Sequence, residues 1–380
     1  MQQATVRQGC GFFFIAAGAC NIWISDSFLS EFIEIQALAA IVLFVSSARA
    51  PIFAIQRETL AHGLRMLLDM TDAMVSWAWL WVPFTVFAAL AQTVRNTAQR
   101  SLTAEVGTLS ATWVRFLFGL PFAALVLVLL YAVPDQPPAV PHFSLAYAWW
   151  ISIGALFQVA ATAALLLAMK ERNFAVAVTF SKTEILQVAL FGAVFLGELP
   201  SQLALLAMVV ATVGVLLLSL PPRGQLLSLQ AWLSKSALYG LVCGACFAIA
   251  VIGFRGAALA LQAETPWLSG AWGVTVAQAM QSVVLGVWVA WKTPQGIRPV
   301  LRAWKVSLLA GSMGAAASLA WFTAYAMQDA AVVRTLGMVE VLFSYIVSRR
   351  IFSESFSLAE KLGMGLMVLG LVLICLQGWG

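Results

Sequence analysis

Charged residues are scarce in this chain of 380 residues. Asp, Glu, Lys and Arg together make up 10% of the sequence, whereas hydrophobic residues make up 62%. Soluble domains carry about 25% charged residues, so this composition excludes a water-soluble enzyme. The mean hydropathy of +0.93 instead predicts an integral membrane protein. The chain is long enough for about ten membrane-spanning helices of about 20 residues each.

Histidine is almost absent, and the sequence contains no phosphate-binding loop. His62 and His142 both lie in polar segments between apolar runs, which leaves too little material for a histidine metal site or a Ser-His-Asp triad. Cys243 and Cys246 lie inside a predicted helix, and we interpret them as small packing residues. No GxxxxGK[ST] sequence occurs, so this chain does not encode an ATP-driven pump. We expect no cofactor, no metal and no nucleic-acid partner, and we assign the net charge of +5 to the loops.

Long apolar segments follow one another from residue 74 onward. The predicted fold class is an all-α membrane protein with ten transmembrane helices, arranged as two inverted five-helix repeats. Proline pairs such as Pro221 and Pro222 end the segments, and Ser201 is a suitable N-cap. The predicted helices lie near residues 75–95, 108–132, 145–169, 173–196, 202–219, 236–258, 267–291, 306–327, 330–349 and 357–377.

Residues 1–73 have a different pattern from the rest of the chain. They contain two shorter apolar runs followed by a polar stretch. We interpret them as an N-terminal extension without an assigned role, containing one or two weak membrane helices. Met66, Met70 and Met74 are alternative start positions, and a start at any of them would leave part of this extension untranslated.

The remaining sequence repeats itself. Matching residues recur at a spacing that falls from 160 to 156, as small loop deletions would produce. The pattern divides the chain into a first repeat, residues 74–222, and a second repeat, residues 223–380. The matches are Phe87-Ala88 with Phe247-Ala248, Arg95 with Arg255, Ala168 to Glu171 with Ala326 to Asp329, Glu184 with Glu340, Glu198 with Glu354, and Gly214 with Gly370.

An odd number of helices per repeat places the second copy in the membrane in the opposite orientation. Inverted repeats are typical of alternating-access transporters, which bind substrate near mid-membrane between their halves. The loops after the odd-numbered helices hold most of the basic residues, so the positive-inside rule assigns that face to the cytoplasm. Arg95 and Arg255 fall at predicted helix ends, and we expect them to be anchors at the membrane interface.

Two pairs of glutamates form a motif. Glu184 lies in the apolar fourth helix and Glu198 follows at its end, 14 residues later, and Glu340 and Glu354 are placed in the same way in the ninth helix. With this motif, residues 74–380 resemble the EamA-type branch of the drug/metabolite transporter superfamily. Members often have a proline after the first glutamate, but this chain has Ile185 and Val341.

The resemblance implies a ten-helix bundle with helices 1–4 and 6–9 around a cavity. It implies export or exchange of small solutes, such as amino acids, other metabolites or drugs, across the bacterial inner membrane. Arg115 falls where the family tends to have an arginine. The expected partners are a small-molecule substrate and the lipid bilayer, and the protein is expected to be a monomer or a homodimer.

Ionisable residues inside the predicted helices are the first candidates for a transport site, because each costs about 2.5–3.5 kcal/mol at a helix centre. We interpret Glu184 and Glu340 as proton or substrate-ammonium binders, with a structural ion pair to Arg115 or Lys182 as the alternative. Arg115 either binds a substrate carboxylate or tethers helices. Lys182 lies about 200° around the helix from Glu184 and is expected to meet an acid elsewhere. Arg334 is a fifth candidate.

Amide and aromatic side chains in the lining helices complete the candidate set, because hydrogen-bonding groups in lipid turn inward. Glu198 and Glu354 are expected to be structural residues at helix ends. The full set for substrate or proton binding is Glu184, Glu340, Arg115, Lys182, Gln92, Gln158, Gln278, Trp321 and Tyr325.

These observations favour a secondary transporter that exports small metabolites or drugs, driven by a proton gradient or by exchange. An uncoupled facilitator remains an alternative within transport. The alternative from another class is a membrane enzyme or lipid-handling protein, which would normally show clustered His, Asp or Glu at one membrane face.

Overall fold

A computed structural model shows that the described part of the chain is built from helices. The structure describes residues 79–168, 180–218, 235–343 and 358–376, and it has no strand within those ranges. The predicted N-terminal extension (residues 1–73) and Glu354 lie outside them. The helices in chain order are α1 (Trp81–Val106), α2 (Thr108–Leu117), α3 (Leu120–Ala132), α4 (Leu145–Ala168), α5 (Glu184–Phe191), α6 (Gln202–Leu218), α7 (Lys235–Leu261), α8 (Pro266–Lys292), α9 (Ile297–Arg302), α10 (Trp304–Met327), α11 (Ala330–Leu336) and α12 (Leu358–Leu376).

Six helical stretches in the described ranges are long and apolar enough to cross a membrane. Two further apolar stretches are shorter, Glu184–Leu196 and Gln202–Leu218. The prediction of an all-α membrane protein is therefore confirmed. The six longer stretches are Leu109–Ala132, Leu145–Leu165, Lys235–Leu261, Pro266–Lys292, Trp304–Met327 and Ala359–Leu376.

Three helix pairs make the most extensive contacts: α4 with α7, α1 with α10, and α6 with α12. Small residues allow the backbones to approach closely, as is common between membrane helices. A Cβ atom built on Gly253 of α7 would lie only 2.6 Å from the backbone nitrogen of Gly154 in α4. The buried interior is accordingly rich in alanine.

At the crossing of α6 and α12, the contacts of Gly214 with α12 correspond to the contacts of Gly370 with α6. A Cβ atom on Gly214 would lie 2.5 Å from the backbone nitrogen of Met367 and 2.7 Å from the carbonyl oxygen of Gly363. A Cβ atom on Gly370 would lie 2.6 Å from the Cβ of Ala211 and 2.8 Å from the carbonyl oxygen of Ala207. Subtracting 156 from 370, 367 and 363 gives 214, 211 and 207, so the two contacts are equivalent under the spacing of the sequence repeat.

The first helix differs from its prediction. The sequence predicts a helix over 75–95, but α1 continues to Val106. Arg95 therefore lies within α1 and is 5% exposed, and the expectation of an anchor at a helix end is wrong for this residue. The apolar pattern did not reveal the extension because Arg95, Asn96 and Arg100 give this part of α1 the composition of a loop.

Candidate functional site

A cavity of about 40 Å³ lies between the segments that carry Glu184 and Glu340. Its wall contains two acids and two bases: Glu184, Glu340, Lys182 and Arg334. Glu184 and Glu340 are separated by 156 positions, the spacing of the sequence repeat. The same spacing relates two further pairs of wall residues, Lys182 with Met338 and Ile185 with Val341.

Both segments are interrupted just before their glutamate. The Thr183 N–H donates to the carbonyl oxygen of Phe180 at 3.2 Å, and the Glu340 N–H donates to that of Gly337 at 3.1 Å. These bonds span three residues instead of four, so the chain makes a tight turn at each position. Helix α5 begins at Glu184, and helical structure resumes at residues 339–343 after α11 has ended. The interruptions form without the proline that the resembling family often has, and such breaks mark hinges and binding sites in membrane helices.

Glu184 forms an ion pair with Arg334, whose Nη2 lies 2.8 Å from the Glu184 Oε1. The Arg334 guanidinium also lies over the ring of Trp321, 5.1 Å from its centroid. Trp321 in turn stacks on Tyr325, with centroids 6.0 Å apart and planes 20° apart. Glu184 thus has a basic partner, as the ion-pair alternative required, but the partner is neither Arg115 nor Lys182.

Glu340 is held by neutral amides. Gln92 Nε2 donates to Glu340 Oε2 at 2.5 Å, and Asn96 Nδ2 donates to Oε1 at 2.9 Å. The Gln92 Oε1 accepts a hydrogen bond from Trp321 Nε1 at 3.1 Å. Gln92 therefore links Glu340 to the pair formed by Trp321 and Arg334. It bonds to Glu340 on one side and to Trp321, which lies under Arg334, on the other.

Arg115 and Arg95 lie together against α10. A Cβ atom built on Gly314 would lie 3.2 Å from Arg95 Cδ and 3.5 Å from Arg115 Cγ. Arg95 donates from Nε and Nη2 to the Asn96 Oδ1, at 3.1 and 2.6 Å. The Arg115 guanidinium lies over the ring of Phe116, 4.7 Å from its centroid.

The remaining predicted amides lie inside the bundle. Gln281 Nε2 donates to Gln158 Oε1 at 2.6 Å and to the carbonyl oxygen of Ala155 at 3.3 Å. Gln278 is 3% exposed, and its Oε1 accepts no hydrogen bond from any part of the chain that the structure describes. The Gln278 Oε1 lies 3.0 Å from the position that a Cβ on Gly119 would occupy.

Glu198 belongs to a separate ionic cluster around Arg255. Arg255 Nε lies 2.7 Å from the Glu198 Oε1, and Nη2 lies 3.5 Å from the Asp329 Oδ1. Arg255 Nη1 also donates to the carbonyl oxygen of Tyr325 at 2.6 Å. Gly197 makes the turn into this cluster with a φ of 71°, in the left-handed region that favours glycine. Arg255 is 8% exposed, so it is a buried link between helix ends and not the expected surface anchor.

Sequence reasoning missed two partners, Asn96 and Asp329. Asn96 lies four positions after Gln92, so helical spacing places both amides on one face of α1. Asp329 matches Glu171 in the sequence repeat, but the repeat alone does not indicate that Asp329 is an ion-pair partner.

Comparisons with known proteins identify transporter families in both halves of the chain. The sequence model of the EamA-like transporter family matches residues 79–220, and that of the family described as magnesium transporter NIPA matches residues 297–378. A crystal structure of another protein has a TM-score of 0.57 to this chain at 16% identity, covering 78% of this chain and 99% of its own. That likeness concerns the fold alone. A search of curated proteins found no significant match.

Proposed function

We propose that this chain, whose two halves match sequence models of transporter families, is a secondary active transporter that works by alternating access. Residues 74–222 and 223–380 are the proposed inverted repeats of a ten-helix bundle. The proposed cargo is a small metabolite, such as an amino acid, or a drug. The proposed direction is export across a bacterial inner membrane, driven by a proton gradient or by exchange.

The cavity between Glu184 and Glu340 carries this proposal. It is bordered by three residue pairs that the repeat relates, and its two glutamates each follow a break in a helix. A site on the symmetry axis of two inverted halves would have this form, and broken helices commonly build substrate sites in transporters. The equivalent contacts of Gly214 and Gly370 also support a two-fold relationship between the halves.

The cavity is too small in this state to hold a metabolite. About 40 Å³ holds a few water molecules, whereas ligand pockets usually measure about 300–1,000 Å³. A metabolite therefore enters only when the surrounding helices separate. The Arg255 cluster joins helix ends on the face that the proposed topology puts outside, so we propose that it holds the outer side closed in this state.

The wall charges support a cargo that carries both a positive and a negative group. Glu184 and Glu340 suit a proton or an ammonium group, while Lys182 and Arg334 add positive charge that favours a cargo carrying an anionic group as well. The NIPA description raises magnesium as another cargo. Two basic residues in the same small wall would repel a divalent cation, so we favour the organic solute.

The test compares the culture medium of cells that express the full chain with that of cells expressing the double variant Glu184→Gln, Glu340→Gln. Glu264→Gln is the matched control, because Glu264 is an exposed carboxylate in the turn between α7 and α8. We expect one class of organic solute to accumulate outside with the unmodified chain and with the control, but not with the double variant. Protein content of the membrane is measured for every variant.

Other outcomes would identify the rival functions. Equal export by the double variant would contradict the roles of the two glutamates and favour an uncoupled facilitator. A change in cellular magnesium without any change in organic solutes would replace the proposed cargo. An unchanged medium, with all variants present in the membrane, would contradict the exporter proposal and bring the enzyme or lipid-handling alternative forward.

A further inference from the structure

Two arginine side chains lie against the same glycine inside the bundle. Arg95 Cδ and Arg115 Cγ lie within 3.2 and 3.5 Å of the Cβ position of Gly314, so the two carbons are no farther apart than the sum of those distances. Their like charges act on one another, and the Glu340 carboxylate attracts both. Glycine at position 314 allows both side chains to pack at this point, because a Cβ atom there would already press against Arg95.

Each of the two guanidinium groups contacts a neutral group of the described structure. Arg95 donates to the amide oxygen of Asn96, and Arg115 lies over the aromatic ring of Phe116. Glu340, the acid that acts on both, already accepts hydrogen bonds from Gln92 and Asn96. Two adjacent positive charges in a lipid-embedded bundle are costly, because little water reaches them to compensate the charge.

Positive charge exceeds negative charge in this part of the described structure. Leaving aside the Arg255 cluster, four bases face two acids around the cavity and Gly314. A bound anion would reduce this excess, and a planar carboxylate matches the fork of donors on a guanidinium. The bases are Arg95, Arg115, Lys182 and Arg334, and the acids are Glu184 and Glu340.

We propose that a carboxylate group of the transported solute binds between Arg95 and Arg115, beside Gly314. This proposal rests on the proposed transport function and names the chemical class of its cargo, a small organic carboxylate. Asn96 joins this anion site to Glu340, because its amide accepts from Arg95 and donates to Glu340. A solute with an ammonium group next to its carboxylate, as in an amino acid, can therefore reach the arginines and the glutamate together.

The experiment uses the purified full chain in proteoliposomes that are loaded with a defined mixture. The mixture contains the common amino acids, the amines formed from them by decarboxylation, and simple mono- and dicarboxylic acids. Loss of each compound from the vesicles is followed by mass spectrometry. The variants are Arg115→Gln and Arg115→Lys, and Arg302→Gln is the control because Arg302 is an exposed arginine on α9.

We expect compounds with a carboxylate to leave and the matched amines to remain. Arg115→Gln should slow that loss about tenfold or more, because a hydrogen-bonded charge partner of the solute is removed. Arg115→Lys should retain part of the rate, since lysine keeps the charge but not the fork. Arg302→Gln should behave like the unmodified chain. Arg95→Gln should slow the loss of carboxylates as Arg115→Gln does, provided that the variant elutes as a single folded species in size-exclusion chromatography. If it does not, the two Arg115 variants alone test the carboxylate site.

Two results would overturn the carboxylate site. Amines that leave as fast as their parent amino acids would contradict it while leaving transport intact. Loss of carboxylates at the unmodified rate from Arg115→Gln would do the same. If no compound leaves, the anion site is also rejected, and the medium comparison described above decides separately whether the chain is a transporter.

Discussion

The Arg255 guanidinium lies 2.7 Å from the Glu198 carboxylate, although 57 positions separate the two residues in the sequence. The pair joins the interior of α7 to the turn before α6, and Asp329 and the carbonyl oxygen of Tyr325 add the start of α11 and the end of α10. Four chain segments are thus held at one end of the bundle by a single side chain. Any movement that opens this end must separate Arg255 from at least one of its partners.

Replacing Glu198 by Gln should destabilise the protein. The side chains of Arg255 and Glu198 are only 10% and 13% exposed, so the guanidinium would lose a charged partner that water does not replace. We expect the free energy of unfolding to fall by about 2 kcal/mol, the typical worth of a hydrogen bond to a charged group. The measurement is the thermal unfolding midpoint of purified protein in detergent.

Asp329→Asn and Glu264→Gln are the controls for this prediction. Asp329 lies 3.5 Å from Arg255 and its side chain is 35% exposed, so its replacement should have a smaller effect than that of Glu198. Glu264 is exposed and accepts one backbone hydrogen bond from Ala139, so its replacement should change the midpoint least. Equal midpoints for all three variants would show that the Arg255 cluster contributes nothing to stability.

Glu184 and Arg334 should behave as a coupled pair. Each of Glu184→Gln and Arg334→Gln leaves the other charge in the bundle without its 2.8 Å partner. We expect each single variant to lower the free energy of unfolding by about 3 kcal/mol, and the double variant to recover a large part of that loss because both charges are gone. Thermal unfolding of the four proteins measures the coupling free energy.

A transport measurement distinguishes a purely structural role of Glu184 and Arg334 from a role in substrate binding. If Glu184 and Arg334 only stabilise the fold, the double variant should recover transport together with stability. The proposed role in binding predicts recovery of stability without recovery of transport. Additive effects of the two single variants would contradict the ion pair itself.

Gly214 and Gly370 should tolerate alanine poorly. A Cβ atom at Gly214 would meet the backbone of α12 at 2.5 Å, and one at Gly370 would meet Ala211 at 2.6 Å, so the two helices would have to move apart. We expect each of Gly214→Ala and Gly370→Ala to lower the free energy of unfolding by about 1–3 kcal/mol, as overpacking does. Gly365 lies in the same helix α12 with open space around its Cβ position, so Gly365→Ala should be neutral or slightly stabilising. A similar loss in all three variants would contradict a specific role of the α6–α12 crossing, because helix propensity by itself favours alanine at each position.

Much of this arrangement could be predicted from the sequence, because it depends on composition and on the repeat. Apolar segments in the sequence indicate the six long membrane-spanning stretches, and the spacing of 156 pairs Glu184 with Glu340. The actual partners were not predictable in the same way. Arg334 lies seven residues past Met327, in a segment whose fold depends on the break at Gly337, and helical spacing does not indicate which way its side chain turns.

The limits of pattern reasoning are clearest in α1. Its polar second half resembles a loop in composition, yet Arg95 is buried there because Asn96 and the charge of Glu340 compensate part of its desolvation. Those partners come from the same helix and from a segment more than 240 positions away. A hydropathy pattern describes one segment at a time, so it misses a polar helix that is stabilised by distant groups.

Gln92 should couple Trp321 to Glu340. Its amide oxygen accepts from the Trp321 N–H at 3.1 Å and its amide nitrogen donates to the Glu340 carboxylate at 2.5 Å. Gln92→Leu keeps a side chain of similar size but leaves both groups without this partner. Since each unsatisfied buried group costs about 1–3 kcal/mol, we expect a clear fall in the unfolding midpoint and slower transport.

A double-variant cycle with Trp321→Phe distinguishes this coupling from general disruption of α1. Trp321→Phe removes the indole N–H, so it should cost less in the Gln92→Leu background, where that N–H has already lost its acceptor. The expected coupling free energy is about 1 kcal/mol, within the range found for residues in contact. Gln202→Leu, at the exposed start of α6, is the control for replacing glutamine by leucine in a membrane helix. Zero coupling between Gln92 and Trp321 would mean that the amide supports Glu340 alone, and the aromatic stack under Arg334 would then be independent of α1.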